Sequence, residues 1–335
     1  MTDSSEAILL TRIVKEIREY RGFTRKSFIA ELARIFDVDC KFDDAGWFEA
    51  GREKIVVTTD GIAEEFVKED PWSAGYYSVV VNVNDVVAKG AKPVGYVSVI
   101  SSNSQENLRK MVEGIKSAID KYGLKVLKFH TQPDSTYNSV DAAVVGVAKN
   151  IIPSSSASPN DKLLLAVDMD GYFGSRGWVR FFDSTRDKSS NDVWKLIDGM
   201  ITISEKRLAN ASRDISTPGF IGSIAMLCES SCVGARIQLN RIPKPKDVDL
   251  LLWLTSYPSS SFIVSTTKSN ECRKILQNHG YKTEIVGEIT KDKKIVLIYK
   301  GKNKVFLDLE KESIFGMKRE PNTPKKYKTF IKKFS

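Results

Sequence analysis

Aspartates are the residues of this chain whose type and placement could do chemistry. Asp43 and Asp44 stand side by side in KFDDAGW, ahead of a β-branched run. Asp60 closes that run in TTDGI, and Asp85 lies inside VNVNDVVAKGAKP. Carboxylates at element ends and beside glycines can converge. A hard divalent cation such as Mg²⁺ takes several oxygen ligands, usually with phosphate oxygens completing its shell. Acids in such places also serve as turn formers and helix N-caps, and spacing alone leaves both readings open. A second feature is DISTPGFIGSIAML, a polar loop with Gly219 that leads into an apolar helix carrying Gly222 in its first turn. Free backbone N–H groups and the helix dipole at such a start attract anions such as phosphate. The plain alternative is a capped helix, with Ser216 or Thr217 as the cap.

Other chemistries lack their residues. There is no GxxxxGK phosphate loop, HExxH, CxxC pair or GxSxG elbow, and Gly171, Gly174 and Gly177 do not make a GxGxxG fingerprint. The only two histidines, His130 and His279, are far apart in sequence. Cys228 and Cys232, four apart on an expected helix, read as small core residues without two further ligands. Four cysteines in 335 residues are no disulfide framework and fit a reducing, cytoplasmic setting. The start, MTDSSEAILLTRIVKEIREY, carries acids and helical periodicity and does not read as a secretory signal. No run approaches the roughly 18 apolar residues of a membrane span.

The acids need elements to hold them, and 335 residues suggest two domains. A content of 41% apolar and 28% charged residues is globular and argues against wholesale disorder. Residues 5–36 predict helices, with Ile8, Leu9, Ile13 and Ile17 in one stripe and Phe28, Leu32, Ile35 and Phe36 in another. Lys54–Thr59 predicts a strand; 73–90 a helix with a stripe of Tyr76, Val79, Val80, Val83, Val86 and Val87; 96–101 a strand; and 104–121 an amphipathic helix closed by Gly123. Strands LKVLKF and VDAAVVGVA follow. PSSSASPN (153–160) reads as the linker. Beyond it come a strand KLLLAVDMD, a helix over about 191–211, the DISTPG loop, a helix over about 219–232, a strand FIVSTT, a helix SNECRKILQNHG, and strands EIVGEI, KIVLIY and KVFLDL. The reading is α/β (α+β) in two domains, 1–152 and 161–310, with a basic tail over 311–335. Of the net charge of +9, the tail supplies eight basic residues against two acidic ones. Tyr327, Phe330 and Phe334 interleave them, a composition that could touch nucleic acid, though a solvated tail explains it as well.

TTDGI (58–62), NVNDVVAKGAKP (82–93), HTQPDSTYNSVDAAVVG (130–146) and DISTPGFIGSIAMLCESSCVGA (214–235) occur in the order of the aminoimidazole ribonucleotide (AIR) synthetase superfamily, which the chain resembles over roughly 38–300. The resemblance implies an AIR-synthase-like fold of two α/β domains. The N-terminal domains would pair into a homodimer whose strands form an intersubunit barrel. It implies ATP and Mg²⁺ as cofactors, with Asp43, Asp44, Asp60 and Asp85 as metal and phosphate holders and Asn84, Asp214, Ser216 and Gly219 on the nucleotide. His130 and Asp60 would serve at the transferred group. The activity implied is transfer or cleavage of the terminal phosphate of ATP, activating an oxygen of a small metabolite. No membrane partner is expected, and nucleic acid is not the implied one.

Departures narrow the choice. Thiamine-monophosphate kinases look like GGD where this chain has Lys128-Phe129-His130, and like DxSDG where it has Asp214 to Gly219. That activity is therefore an alternative, not the first reading. Selenophosphate synthetase needs a reactive Cys in a Gly-rich loop; Cys40 has no such loop. The hydrogenase-maturation relative ends in a cysteine tail, whereas this chain ends in KKFS. The closest group is the AIR-synthase-related proteins. Loss of the Gly-Gly pair before His130 also motivates a non-enzyme reading, a member that binds nucleotide or a partner without turnover. Asp134 reads as a turn former after Pro133 or a further acid of the site.

Overall fold

The computed structural model describes residues 3–36, 42–174 and 178–317. Cys40 and the tail from Lys318 onward lie outside the described residues. The chain opens with α1 (Asp3–Glu19), α2 (Arg21–Thr24) and α3 (Ile29–Phe36), then β1 (Gly46–Ala50), β2 (Glu53–Gly61), α4 (Glu64–Glu69), α5 (Pro71–Ala88), β3 (Lys92–Ser101), α6 (Gln105–Tyr122), β4 (Lys125–Gln132) and β5 (Ser139–Ala148). The second half holds β6 (Lys162–Val167), β7 (Tyr172–Phe173), β8 (Phe181–Asp183), α7 (Ser190–Glu205), β9 (Ala211–Asp214), α8 (Gly219–Ser230), β10 (Gly234–Gln238) and α9 (Leu250–Leu254). It ends with β11 (Tyr257–Pro258), β12 (Ser261–Thr266), α10 (Ser269–Asn278), β13 (Lys282–Thr290), β14 (Lys294–Tyr299) and β15 (Lys302–Asp308). This is a mixed α/β architecture in two domains, as the sequence predicts.

The first half builds a five-stranded sheet in the order β1-β2-β5-β3-β4, and the second a seven-stranded sheet in the order β15-β14-β10-β13-β6-β12-β9. Helix α5 lies between the first sheet, α6 and the second half. It is therefore buried all the way round from Ser73 to Ala88, which is why its sequence is valine-rich on every side. Asp70 caps it, accepting the Ser73 N–H, and Pro71 occupies the first turn where no N–H is needed. Helices α5 and α6 touch through glycines: a Cβ on Gly75 would fall 2.0 Å from Met111 O, and one on Gly114 2.0 Å from Trp72 O. Gly114→Ala is expected to lose about 1–3 kcal/mol through overpacking, net of the roughly 1 kcal/mol alanine gains in helix propensity. Urea unfolding measures it, and an unshifted midpoint would show that the two helices part freely.

Strand β6 shows why KLLLAV is unbroken apolar sequence. Leu164 and Ala166 face a cluster with α7 and α10 residues such as Met200 and Leu276, while Leu163, Leu165 and Val167 face a second cluster with Ile13, Ile17, Phe220 and Ile224. The second cluster places α1 on the C-terminal sheet, where Leu10, Ile13 and Ile17 join Phe306 and Leu307. Arg18 fastens the contact, donating to Phe306 O at 2.7 Å and pairing with Glu312.

Several expectations need correction. Helix α7 ends at Glu205, and Ala211–Asp214 is an edge strand paired with β12, not helix and loop. Strands β1 and β10 had no distinct signal. The apolar stripe over 28–36 does not form a core face: Ala30 and Ala33 of α3 are buried, while Phe28, just before the helix, and Leu32, Ile35 and Phe36 within it are exposed. At position 30 a tight approach requires a small residue, since a Cβ on Gly316 would lie 3.3 Å from Ala30 Cβ. The serine-rich segment 153–160 is tied down at its start, with Ser154 buried and hydrogen-bonded to Asp43 and Ser212. Among the described residues no helix is long and apolar enough to cross a membrane.

Candidate functional site

Two elements and one loop deliver carboxylates to a common point where the halves meet. Asp44 precedes β1, Asp85 sits near the end of α5, and Asp214 ends β9. Their carboxylate oxygens lie within 4.8 Å of one another. Thr58 of β2 ties two of them in place, its hydroxyl lying 2.8 Å from Asp85 Oδ2 and 2.9 Å from Asp44 O. Asp214 N donates to Asp44 Oδ2 at 3.3 Å.

Charge is unevenly balanced here. Asp44 pairs with Arg213 at 2.8 Å and with Lys89 Nζ at 3.2 Å. Asp85 and Asp214 have no ion-pair partner among the described residues. Burial, then the charges of Asp214, Asp60 and Asp44, push the Asp85 carboxyl well above the usual range. Burial and the Asp44 charge push Asp214 up to about 8, against Arg213 and Lys26. Like charges so close cannot all ionise without a cation. An all-oxygen donor set in which two carboxylates lack a direct ion pair among the described residues suits a hard divalent ion.

The sequence reading named a different set of ligands. Asp43 does not face this point. Its carboxylate accepts from Lys89 Nζ at 2.5 Å, Ser154 Oγ at 2.6 Å and Ser154 N at 2.7 Å. Burial alone would raise Asp43, but Lys89 and Ser154 hold it below its usual value. Burial likewise works against the Lys89 ammonium, yet Asp43 and Asp44 keep it above its ordinary value. Asp43 is thus engaged by Lys89 and Ser154. Asp60 stands apart from the three, in an open cavity of about 330 Å³ that it shares with Arg25, Lys26, Ser216, Thr217 and apolar residues including Phe66 and Phe181. Crowding by protein raises its carboxyl, opposed by Lys26, while the open cavity leaves it accessible to solvent.

The expected nucleotide residues divide. Ser216 lines the cavity, and its buried hydroxyl has no hydrogen-bond partner among the described residues. Its N–H donates to Ser223 Oγ at 3.0 Å. Neither Ser216 nor Thr217 caps α8; Pro218 holds that position without a side-chain bond. Gly219 has φ +74°, and a Cβ there would lie 2.2 Å from Leu254 O, so this glycine serves close packing. Its N–H is already used on Ser216 O at 2.9 Å. Asn84 is buried and donates to Ser259 O at 2.7 Å, fastening α5 to the β11–β12 connection. His130 is exposed on edge strand β4. It shares a transverse row with Val99, Asp141 and Gly61, three strands from β2, or about 14 Å across the sheet. The structure does not bring His130 or the equally exposed Asp134 to the acids of its own chain. Sequence reasoning missed Lys89, Arg213, Arg25 and Lys26. For Arg213 the only signal was its place beside Asp214; for Lys89, its place one helical turn after Asp85.

Comparisons with known proteins agree with this architecture. Residues 42–148 match the AIR synthase related protein N-terminal domain, and residues 171–300 its C-terminal domain. The uncharacterized protein MJ0640 of Methanocaldococcus jannaschii is 36% identical over 92% of this chain and 99% of its own length. Among solved structures, Thermotoga maritima PurL complexed with ATP superposes with a TM-score of 0.70 at 16% identity, covering 84% of this chain and 48% of that one. AaThiL complexed with AMPPCP and TMP gives 0.64 at 17% identity over 82% of this chain and 93% of that one. This chain thus spans about half the length of the PurL chain it matches, and these structural likenesses speak to fold alone. Matched in both halves, and nearly end to end by its archaeal relative, the chain belongs to the AIR synthase-related family.

Proposed function

We propose that the protein is a Mg²⁺- and ATP-dependent enzyme that transfers or cleaves the terminal phosphate of ATP to activate an oxygen of a small metabolite. The observation that carries this reading is the convergence of Asp44, Asp85 and Asp214 within 4.8 Å, two of them without an ion-pair partner among the described residues, near a cavity lined by Arg25 and Lys26. The solved relatives PurL with ATP and ThiL with AMPPCP support the choice of nucleotide. Mg²⁺, when bound, would offset the negative charge of the nucleotide's phosphates. Asp85 and Asp214 would ligate it, with Asp44 steadied between them by Arg213 and Lys89. Thr58 would orient Asp85, and the Ser216 hydroxyl, without a partner among the described residues, would hydrogen-bond a phosphate oxygen. Asp60 stands on the cavity side of the acids, accessible and raised, where a carboxyl can exchange a proton with an acceptor oxygen.

The same reading includes a homodimer. The outer face and edges of the five-stranded sheet expose Trp47, Phe48, Val57, Val99, Leu127 and Phe129, and every residue of edge strand β4 is exposed. A face so apolar, ending in unpaired strand edges, is suited to cover by a second copy. We place the enzyme in the cytoplasm, in keeping with its free cysteines. Isothermal titration tests the central claim. ATP should bind in the presence of Mg²⁺ and much more weakly in EDTA; absence of binding in both conditions would refute it.

A further inference from the structure

The short helix α2, just ahead of the cavity residues Arg25 and Lys26, is fixed from three sides. A Cβ on Gly22 would fall 2.2 Å from Thr217 O, so α2 rests directly on the loop that carries Ser216. Trp178 is flanked by the guanidinium groups of Arg21 at 4.6 Å and Arg25 at 5.0 Å, and its carbonyl accepts from Tyr20 Oη at 2.9 Å. Arg21 also pairs with Glu65 of α4 at 2.8 Å. This clamp spends Arg21 but sends Arg25 and Lys26 to the cavity wall, beside Asp60, Ser216 and Thr217. Lys26 interacts electrostatically with Asp60 and Asp214, yet its ammonium has no hydrogen bond or ion pair among the described residues. A half-buried ammonium facing acids without touching them, at the mouth of a cavity, has donors left for a ligand.

We propose that Lys26, held in place by the Trp178 clamp and seconded by Arg25, is a positioning residue of the site that binds a phosphate oxygen of the incoming nucleotide across the cavity from the acids. This rests on the reading of the site as a metal–nucleotide centre and adds a function to the N-terminal helices. The acids attract the metal and the ammonium attracts phosphate, so the two walls grip opposite charges of one ligand. The arrangement has a signed consequence. Without nucleotide, Lys26 is a positive charge near the acids and opposes a divalent ion; with nucleotide it aids binding.

The test measures Mn²⁺ alone, by its paramagnetic signal, and ATP in the presence of Mg²⁺, by calorimetry, on wild type, Lys26→Met and Lys26→Arg. Lys26→Met should weaken ATP roughly tenfold or more while tightening Mn²⁺ about two- to fivefold. Lys26→Arg should keep both near wild type. A loosened fold would weaken both ligands together, so opposite signs separate the proposed role from a structural one. Wild type that binds both ligands, with Lys26→Met changing neither or weakening both, overturns the role of Lys26 alone. Wild type that binds neither ligand overturns the metal–nucleotide reading and this role with it.

Discussion

Asp85→Asn is expected to reduce Mg²⁺-dependent ATP binding at least to the roughly hundredfold level reached when groups one step behind a metal ligand are lost. Without the ion, the same variant should melt higher than wild type. The substitution keeps an oxygen for the Thr58 hydroxyl at 2.8 Å, so the local hydrogen bond survives while one buried negative charge is removed. The sign follows from the raised carboxyls. Asp85 stands well above its ordinary value, and Asp214 is pushed up to about 8, so the folded protein retains protons that the unfolded chain has released. Stability is then fully present below the ordinary carboxyl value of about 4 and is lost as pH rises through about 8 for Asp214. Asp43, held low by Lys89 and Ser154, has the opposite sign and titrates below this window. Thermal midpoints between about pH 5 and pH 8.5 should fall in EDTA, fall less in Asp85→Asn, and be restored by Mg²⁺ at the alkaline end. A flat wild-type profile in EDTA, with wild-type ATP affinity in the variant, would mean that the acids are not a cation site.

How far the sequence leads depends on whether a signal is local. The stripe in 71–88 and the unbroken KLLLAV run both report burial on more than one side, and each became a central element with a cluster on either face. Asp44 and Asp85 could be named as site candidates from their places in a loop or near a glycine, and Asp214 only through the family resemblance. Their grouping could not be read, because it depends on β9, a four-residue edge strand whose polar sequence ASRD resembles a loop. Asp43 and Asp44 are neighbours in sequence yet point to different partners, one to the Ser154 strap and one to the acid cluster. Spacing is silent about such a divergence. The stripe on α3 misled for a related reason: helical periodicity shows that a helix has an apolar face, but not whether small or large residues meet the neighbour. Here Ala30 and Ala33 turn inward and Phe28, Leu32 and Phe36 remain outside. The docking of α1 on β15, almost the full chain length away, has no sequence signal at all.

Lys89→Met should produce the largest loss of stability, about 3–5 kcal/mol. Lys89 is fully buried, and its ammonium bonds Asp43 at 2.5 Å, Ser212 O at 2.8 Å and Ser154 Oγ at 2.9 Å, with Asp44 at 3.2 Å. Methionine keeps the stem and its packing, so the loss isolates the charge. What remains is Asp43 without its counter-ion and Asp44 balanced by Arg213 alone. A buried ion pair need not stabilise relative to an apolar pair, but an orphaned member is costly. Adding Asp43→Asn to Lys89→Met should therefore recover part of the loss, while Asp43→Asn alone should destabilise. Urea unfolding of the four proteins gives the coupling energy directly. Strictly additive losses would show that Lys89 acts on something other than Asp43. A Lys89→Met protein as stable as wild type would mean that the bond between the α5 terminus, the Ser154 strap and β9 does not hold the two halves in register around the acids.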